Sequence, residues 1–370
     1  MKKIIILAAA LLGLATAATA QEAGSLLDIN ADTRTAAMGE ITAAAEGSAF
    51  SVFNNVAAAP LSAKKFQIGA FYSPWASGLT KELDGKTMLM GAGAYFTLAE
   101  RHSIQVGFRY LQTPGSTGTD ANGNPTKDTF SPKDMTIDLG YGIKIIDNLS
   151  VGVAGHFVSS SLGADVKGSA FAFDLGVQYR LAFSEKAGLD LGFKAANIGS
   201  KLAYGEGEGS ALPAKAVLGA MFTAQPSDAH SIKVGVDAGY KFMGLTGFVA
   251  GVGAEYMAFN TVAARVGYHM DSKAKMNYAT VGLGVRVIDM IQVDGTYYLG
   301  SDAMKNTFRV GLSLRFGDTQ PVKSVKREKS KLKALKPIMD KQGDNAKSVK
   351  STKKEKVKRT ELKDILNTQN

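Results

Sequence analysis

The sequence predicts an all-β protein: a 14-stranded transmembrane antiparallel β-barrel with an N-terminal plug and a disordered basic C-terminal tail. Three observations predict this fold. Apolar and polar residues alternate over segments of roughly the nine to eleven residues that a tilted membrane strand needs. Such segments recur from residue 65 to residue 316, with turn residues between them. The gaps are alternately long and short, as in outer-membrane barrels with short periplasmic turns and longer outer loops.

Residues 1–20 have the features of a secretory signal peptide. Two lysines at positions 2 and 3 precede an apolar run over 4–14, and small residues suitable for cleavage follow at 18–20. We therefore expect the mature chain to begin at Gln21. The sequence contains no Cys, which excludes disulfides and a lipidated N-terminal Cys.

Residues 21–64 do not alternate. They are rich in small residues, and Asp28, Asp32 and Arg34 lie close together in the sequence. One interpretation is an N-terminal loop region; the other is a plug that folds into the lumen and satisfies its charges there. We favour the plug, because a wide barrel is filled either by protein or by water.

The segment from Asn306 to Phe316 shows the alternation most clearly. Phe308, Val310 and Leu312 fall on one face, while Arg309 and its alternate neighbours fall on the other, since successive side chains of a strand point to opposite sides. Strand boundaries read from sequence are uncertain by a few residues, so twelve or sixteen strands are alternatives. The predicted strands are 65–76, 86–97, 102–112, 134–145, 148–160, 168–181, 186–196, 211–223, 230–243, 247–258, 261–269, 276–287, 290–300 and 305–316.

The polar faces of these strands carry charges of both signs, which we expect to point into the lumen. They should pair with one another, with the plug or with water, because burying an unpaired charge is costly. A lumen lined in this way suits a fatty chain poorly, although a small apolar pocket near the outer mouth is compatible with it. The expected charge network comprises Arg109, Asp138, Lys144, Asp174, Arg180, Lys233, Asp237, Lys241, Arg309 and Arg315, with Asp190, Lys194, Glu255, Arg265, Arg286 and Asp294 on the same face.

The basic character of the chain comes from its tail. The whole chain has a formal net charge of +10, and residues 317–370 contribute 16 Lys and Arg against 7 Asp and Glu. The tail contains no Phe, Tyr or Trp, so it cannot bury enough apolar surface to fold alone. We expect it to be disordered, with Thr360 to Leu366 as a possible docking helix.

An even number of strands places both termini in the periplasm, where nucleic acid is not a sensible partner. The tail's basic side chains then have anionic lipid, peptidoglycan carboxylates or an acidic periplasmic protein as candidate partners. The expected contact residues are Lys326, Arg327, Lys329, Lys353, Lys354, Lys358 and Arg359.

The sequence shows no catalytic or metal-binding pattern. The four His residues are scattered, and there is no G-x-S-x-G motif. We expect neither enzymatic activity nor a cofactor. Asp120, Asn122 and Asn124 resemble part of a calcium loop, but Gly falls at 123 and not at the sixth position, and Ser131 stands where the closing Glu should be. We therefore interpret them as a turn-rich loop. Trp75, at the outer end of the first strand, is expected to anchor the barrel at the membrane interface.

Residues 26–40, LLDINADTRTAAMGE, resemble the opening motif of the PorV/PorQ group of Bacteroidetes outer-membrane proteins. A second motif, in which an aromatic residue precedes Asn-Pro-Ala, resembles residues 53–57, with Val56 in place of the Pro that would fix a turn. The residues that match the two motifs are Asp32, Arg34, Ala37, Met38, Gly39, Asn55 and Ala57.

This group is similar in fold to the FadL long-chain fatty-acid transporters, which are 14-stranded barrels with an N-terminal plug. The resemblance implies a role in type IX secretion, in which PorV-like members escort or receive secreted proteins and PorQ-like members help with surface attachment. A Lys-rich extension is not part of the group's pattern. We therefore expect a non-catalytic outer-membrane subunit of a protein export, surface-attachment or assembly complex, embedded in outer-membrane lipid and partnered by outer-membrane or periplasmic proteins. The alternative is a FadL-like channel for small hydrophobic molecules.

Overall fold

Fourteen antiparallel strands close into a barrel. The structure, a computed structural model, describes residues 23–78, 86–119, 125–163, 166–205, 208–274, 276–300 and 302–319. The predicted count of fourteen barrel strands is confirmed.

The barrel strands follow one another around the cylinder in chain order, and β1 closes it by pairing with β16. β4 and β5 form a separate two-stranded sheet between β3 and β6. The strands are β1 (Lys64–Pro74), β2 (Met88–Leu98), β3 (His102–Gln112), β4 (Ser116–Thr119), β5 (Pro125–Phe130), β6 (Lys133–Ile146), β7 (Leu149–Ser161), β8 (Lys167–Ala182), β9 (Ala187–Gly199), β10 (Lys215–Ser227), β11 (His230–Lys241), β12 (Gly247–Ala258), β13 (Val262–Asp271), β14 (Tyr278–Ile288), β15 (Ile291–Leu299) and β16 (Phe308–Asp318).

The largest boundary difference lies at β10, which was expected to begin at residue 211 and begins at Lys215. Pro213 precedes it, and proline cannot donate a backbone hydrogen bond to a neighbouring strand. β16 also runs beyond the expected end at Phe316, because Asp318 still pairs with Lys64.

Alternation along each strand separates an apolar outer face from a polar inner face. On β8, Phe173 and Leu175 are 61% and 54% exposed, whereas Asp174 between them is buried. Exposed apolar side chains of this kind would be costly in water and are favourable in lipid. Burial along the strands thus follows the two-residue alternation of apolar and polar residues in the sequence.

The N-terminal segment, residues 23–63, packs against the inward-facing side chains of the barrel. It contains a 3₁₀ turn (Ser25–Asp28), the one-turn helix α1 (Thr33–Ala36) and a second 3₁₀ turn (Ala59–Leu61). Asp32 caps α1 by accepting a hydrogen bond from the Arg34 backbone N–H at 3.0 Å. None of the helices in the described residues has the length and apolar character needed to traverse a membrane.

Glycines on the barrel wall allow the N-terminal backbone to approach closely. A Cβ on Gly253 of β12 or Gly267 of β13 would collide with the backbone of Met38 or Gly39. Gly39 itself has a φ of 72°, a left-handed conformation that other residues adopt only with strain. The N-terminal backbone therefore fits against this part of the barrel wall only because Gly253 and Gly267 have no side chains.

Candidate functional site

Arg34, in the first matched motif, links the N-terminal segment to the barrel wall. Its Nε and Nη2 donate to Oε2 and Oε1 of Glu255 on β12, each at 2.8 Å, and its Nη1 donates to Glu46 Oε2 at 3.0 Å. Glu46 also pairs with Lys233 Nζ at 2.5 Å. Lys233, assisted by Arg34, holds the pKa of Glu46 well below its usual range, although burial opposes this effect. A bidentate arginine–carboxylate pair is geometrically specific as well as strong.

Arg265 on β13 extends this cluster along the wall. Its Nε donates to Glu255 at 2.6 Å and its Nη1 to Asp294 at 2.7 Å. Arg265 and Glu255 are almost completely buried. Two arginines therefore share one buried carboxylate, which satisfies its charge on both sides.

Asp28 forms a second cluster with two lysines of the wall. It pairs with Lys215 Nζ at 2.5 Å and with Lys241, and Lys241 also binds Asp271 at 2.7 Å. Burial alone would raise the pKa of Asp28, but the two lysines outweigh burial and lower that pKa. This cluster fixes the start of the N-terminal segment.

A third cluster centres on His156 of β7. Its Nδ1 lies 2.5 Å from Asp138 Oδ1 and its Nε2 lies 3.2 Å from Asp174 Oδ1. Arg109 pairs with the same Asp138 oxygen at 3.1 Å and donates to the Leu26 carbonyl at 3.2 Å. The expected charge network did not include His156, which the strand register places opposite Asp138.

Two further residues of the expected network bind backbone groups of the N-terminal segment. Asp237 accepts from the backbone N–H groups of Thr42 at 2.6 Å and Ala43 at 2.9 Å. Arg180 donates to the Leu61 carbonyl at 2.7 Å and pairs with Asp190 at 2.6 Å. Wall charges thus also satisfy the irregular backbone inside the barrel.

Arg309 lies among aromatic rings, and no carboxylate of the described residues lies within 4.0 Å of its guanidinium nitrogens. Its guanidinium carbon is 5.0 Å from the centroid of Phe71, 5.3 Å from that of Trp75 and 5.9 Å from that of Tyr298, and it donates to the Asn30 carbonyl. These are cation–π distances.

The expectation that Trp75 anchors the barrel at the membrane interface is wrong. Trp75 is buried and its ring meets that of Tyr298 edge-on at 5.6 Å. Trp75 directly follows β1 and continues the alternation that buries Gln67, Phe71 and Ser73, so it lies on the inward face.

Lys144 and Arg315 lie outside these clusters, near the tight-turn end of the barrel. Arg315 donates to the Asp289 carbonyl at 3.0 Å, and Lys144 has no acid within 4.0 Å among the described residues. The tail residues Lys326, Arg327, Lys329, Lys353, Lys354, Lys358 and Arg359, and the loop residues Asp120, Asn122 and Asn124, lie outside the described ranges.

The second matched motif forms a turn without its usual proline. The Asn55 side chain accepts from the Ala57 N–H at 3.1 Å and donates to the Ala43 carbonyl at 2.6 Å, while Gln105 donates to the Val56 carbonyl at 2.7 Å. A side-chain amide that bonds the backbone two residues ahead stabilises a turn directly. Asn55 therefore does locally what the absent proline would do.

A cavity of about 470 Å³ lies at the loop end of the barrel, over the N-terminal segment. Phe53, Trp75 and Leu111 line it from the side of β1 and β3, and Lys194 and Lys241 line it from the side of β9 and β11. No group of three or more His, Asp or Glu in the described ranges is arranged to hold a metal ion.

Comparison with known proteins gives one family and one fold. Residues 15–243 match the model of the family described as type IX secretion system protein PorV. Among solved structures, the toluene transporter TbuX of Ralstonia pickettii is 14% identical, with a TM-score of 0.52 over 77% of this chain and 98% of the transporter. The toluene transporter TodX of P. putida is 11% identical, with a TM-score of 0.53 over the same shares. The search of curated sequences found no match.

Proposed function

The chain belongs to the PorV family of type IX secretion proteins, and from this membership we propose that it acts as a non-catalytic subunit of an outer-membrane complex. That complex would export secreted proteins, attach them to the surface or assemble outer-membrane proteins. The chain is an outer-membrane β-barrel with a FadL-like fold. Its partners are then other outer-membrane or periplasmic proteins of the complex, and the barrel is a stable scaffold to which they bind.

One observation supports this proposal: charged residues of the N-terminal segment pair with inward-facing residues of the barrel wall. Arg34 reaches Glu255, Asp28 reaches Lys215, and Asp237 accepts two backbone N–H groups of the segment. An interior tied together in this way supports a role as a plug, and a plugged barrel works through its surface and not through a continuous pore.

We place both termini in the periplasm. The tight-turn ends of the strands are on the same side as Ala63 and Thr319, whose backbones are joined by a 3.0 Å hydrogen bond. Short turns face the periplasm in outer-membrane barrels. The Lys-rich tail then enters the periplasm directly from β16, where its charge favours an acidic partner or an anionic surface.

The geometry supports the alternative function, a channel for small hydrophobic molecules, less well than the role in a complex. All fourteen pairs of neighbouring barrel strands are hydrogen-bonded, so the described strands leave no lateral gap for a hydrophobic molecule. The charged clusters lie across the path through the lumen. A resemblance to toluene transporters at 11–14% identity concerns the fold only.

The test uses cells that lack the gene and are complemented with the full chain or with a chain truncated after Thr319, which keeps β16 intact. Membranes are extracted in a mild detergent, and native complexes and secreted proteins are both measured. We expect the deletion to abolish type IX export and the full chain to restore it, with stoichiometric partner proteins in the purified complex. Truncation should keep the barrel and lose periplasmic partners. Normal export without the gene, together with purification of the full chain as a lone monomer, would refute the role.

A further inference from the structure

The outward face of the barrel carries few charges. Among the described barrel strands, alternation places four charged side chains on this face: Lys64, Asp318, Lys133 and Lys167. Lys64 and Asp318 lie at the tight-turn end and pair with each other at 2.7 Å. Lys133 and Lys167 lie at the loop end, where β6 and β8 begin, and both are exposed. No carboxylate of the described residues lies within 4.0 Å of either Nζ.

The strand register brings these two lysines onto one site. Lys133 lies opposite Ser161 on β7, and Ser161 lies opposite Lys167 on β8. Neighbouring strands are about 4.8 Å apart, so the two lysine Cα atoms are separated by about 10 Å. A lysine ammonium is a compact charge on a flexible four-carbon stem. Both ammonium groups can therefore reach an anion that lies between them.

Hydroxyl groups form the next row on the same face. Ser159 of β7 lies opposite Ser169 of β8, one outward position further along each strand from the lysine row. Neither side chain has a hydrogen bond to another described residue. A hydroxyl both donates and accepts, so it suits the oxygens of a sugar or a phosphate. A polar row thus lies between the lysines and the apolar part of the wall.

The rows closer to the membrane centre are apolar and contain a depression. Gly155 of β7 lies between Leu139 and Phe173, and a Cβ added at Gly155 would meet only the Phe173 ring, at 3.6 Å. A strand glycine of this kind allows another molecule to approach the backbone closely. The row between this depression and the serines consists of Ile137, Phe157 and Phe171.

The order of groups along these three strands indicates the chemistry of a ligand. Two cations come first, then hydroxyl groups, then exposed apolar side chains with a depression. A phosphorylated glycolipid has the complementary order, with phosphates and sugar above acyl chains. Charge-assisted hydrogen bonds from lysine to phosphate are stronger than neutral ones, and basic clusters at a membrane surface bind anionic head groups.

We propose that this face binds lipid A, the phosphorylated glycolipid of the outer leaflet. Lys133 and Lys167 bind its phosphates, Ser159 and Ser169 contact its sugars, and an acyl chain lies over Gly155. Binding is reversible and involves no covalent step. The site goes beyond the proposed role in a complex and rests only on the proposed placement of both termini in the periplasm, which puts the loop end in the outer leaflet.

The test compares lipids that differ in phosphate. The full chain in detergent is titrated with diphosphorylated lipid A, with fully dephosphorylated lipid A and with phosphatidylglycerol, and bound lipid is counted by native mass spectrometry. We expect saturable binding of one diphosphorylated lipid A and at least tenfold weaker binding of the other two lipids. Equal binding of the dephosphorylated form would overturn the proposal. Equal binding of phosphatidylglycerol would overturn it too, because the site would then be a general anionic-lipid site.

Variants locate the binding on this face. The double variant Lys133→Gln with Lys167→Gln should weaken binding of diphosphorylated lipid A at least tenfold, and Lys133→Arg with Lys167→Arg should stay within threefold. Lys273→Gln is the matched control, since Lys273 is an exposed lysine at the loop end beside β14, half the circumference away from β7. It should change nothing. Original affinity in the double Gln variant, or an equal loss in the control, would overturn the proposal. Should the double Gln variant not fold, the lipid comparison in the original protein decides the question.

A labelling experiment separates failure of the site from failure of the topology. The chain contains no Cys, so Lys273→Cys introduces a single thiol at the loop end. A membrane-impermeant maleimide should label this variant in intact cells. Labelling only after lysis would overturn the placement of the termini and the assignment to lipid A with it. Labelling of intact cells together with a failed lipid titration would overturn the site alone.

Discussion

Arg34 and Glu255 form a bidentate ion pair although 221 residues separate them in the chain. One partner belongs to the irregular N-terminal segment and the other to β12, so the pair connects the segment to the wall at a defined place. Glu255 also accepts from Arg265. The position of α1 inside the barrel thus depends on a charge contributed late in the sequence.

Replacing Arg34 should destabilise the barrel. Arg34→Ala leaves Glu255 buried with one arginine fewer and removes a partner of Glu46, and breaking a buried pair costs about 3–5 kcal/mol. Arg34→Lys should cost less, since it keeps the charge but cannot bind in the bidentate way. The free energy of unfolding is measured by urea titration of tryptophan fluorescence in detergent.

Lys65→Ala is the matched control for the Arg34 variants. Lys65 pairs with Glu100 at 3.5 Å, and the two side chains are 43% and 39% exposed. Exposed pairs contribute about 0–1 kcal/mol. Equal losses for Arg34→Ala and Lys65→Ala would contradict a structural role for the motif arginine.

Stability should fall in acid because of Asp28 and Glu46. Burial opposes ionisation of Asp28, but Lys215 and Lys241 outweigh it and lower the pKa of Asp28 in the folded protein. Lys233 and Arg34 likewise lower the pKa of Glu46. A carboxyl whose folded pKa is depressed stabilises the fold above its unfolded pKa, about 4, and loses this contribution as pH falls toward the folded pKa. Urea midpoints should therefore decrease progressively below about pH 4.

Asp32 acts in the opposite direction and is the internal check on this pH dependence. Burial raises its pKa in spite of the hydrogen bond from Ser48, so its ionisation destabilises the fold above its unfolded pKa. The double variant Asp28→Asn with Glu46→Gln should flatten the decrease in acid, and Asp32→Asn should steepen it. A decrease that persists unchanged in the double variant would show that other groups cause it.

Adding a side chain at Gly253 should displace the N-terminal segment. A Cβ there would collide with Met38 backbone atoms, which cannot move aside as a flexible side chain can. Gly253→Ala should expose the segment to protease, whereas Gly295→Ala should not, because the nearest atom to an added Cβ at Gly295 is 4.0 Å away. The rate of cleavage within residues 23–63 is measured by mass spectrometry. Equal protection in both variants would show that the segment does not depend on this contact.

Asn55→Ala should weaken the second motif turn. It leaves the Ala57 N–H and the Ala43 carbonyl without their side-chain partner, and each buried unsatisfied group costs about 1–3 kcal/mol. Asn55→Asp keeps the acceptor for Ala57 and loses the donor to Ala43, so an intermediate loss in the urea midpoint is expected. Two variants of equal stability would indicate that only one of the two bonds matters.

The strands of this fold can be predicted from local alternation in the sequence, and the contacts inside the barrel cannot. The outward Phe173 and Leu175 and the inward Asp174 alternate because strand geometry fixes their faces, so periodicity predicts them. Pairing across the lumen cannot be predicted in this way. The contact of Arg109 with Asp138, which also binds His156, and the contact of Arg309 with aromatic rings are examples. Both depend on strand register and on a segment without periodicity. Trp75 is a different case: it continues the inward face of Phe71 and Ser73, so alternation predicts its burial, and the interface assignment considered only its place at the end of the strand.

The pairing of β1 with β16 has a consequence for how the chain folds. The first barrel strand cannot complete its hydrogen bonds until the last one arrives, about 250 residues later, and contacts so distant in sequence form slowly. The N-terminal segment precedes β1 and touches strands from β3 to β16. We therefore expect the segment to make these contacts while the sheet is still open along the seam between β1 and β16.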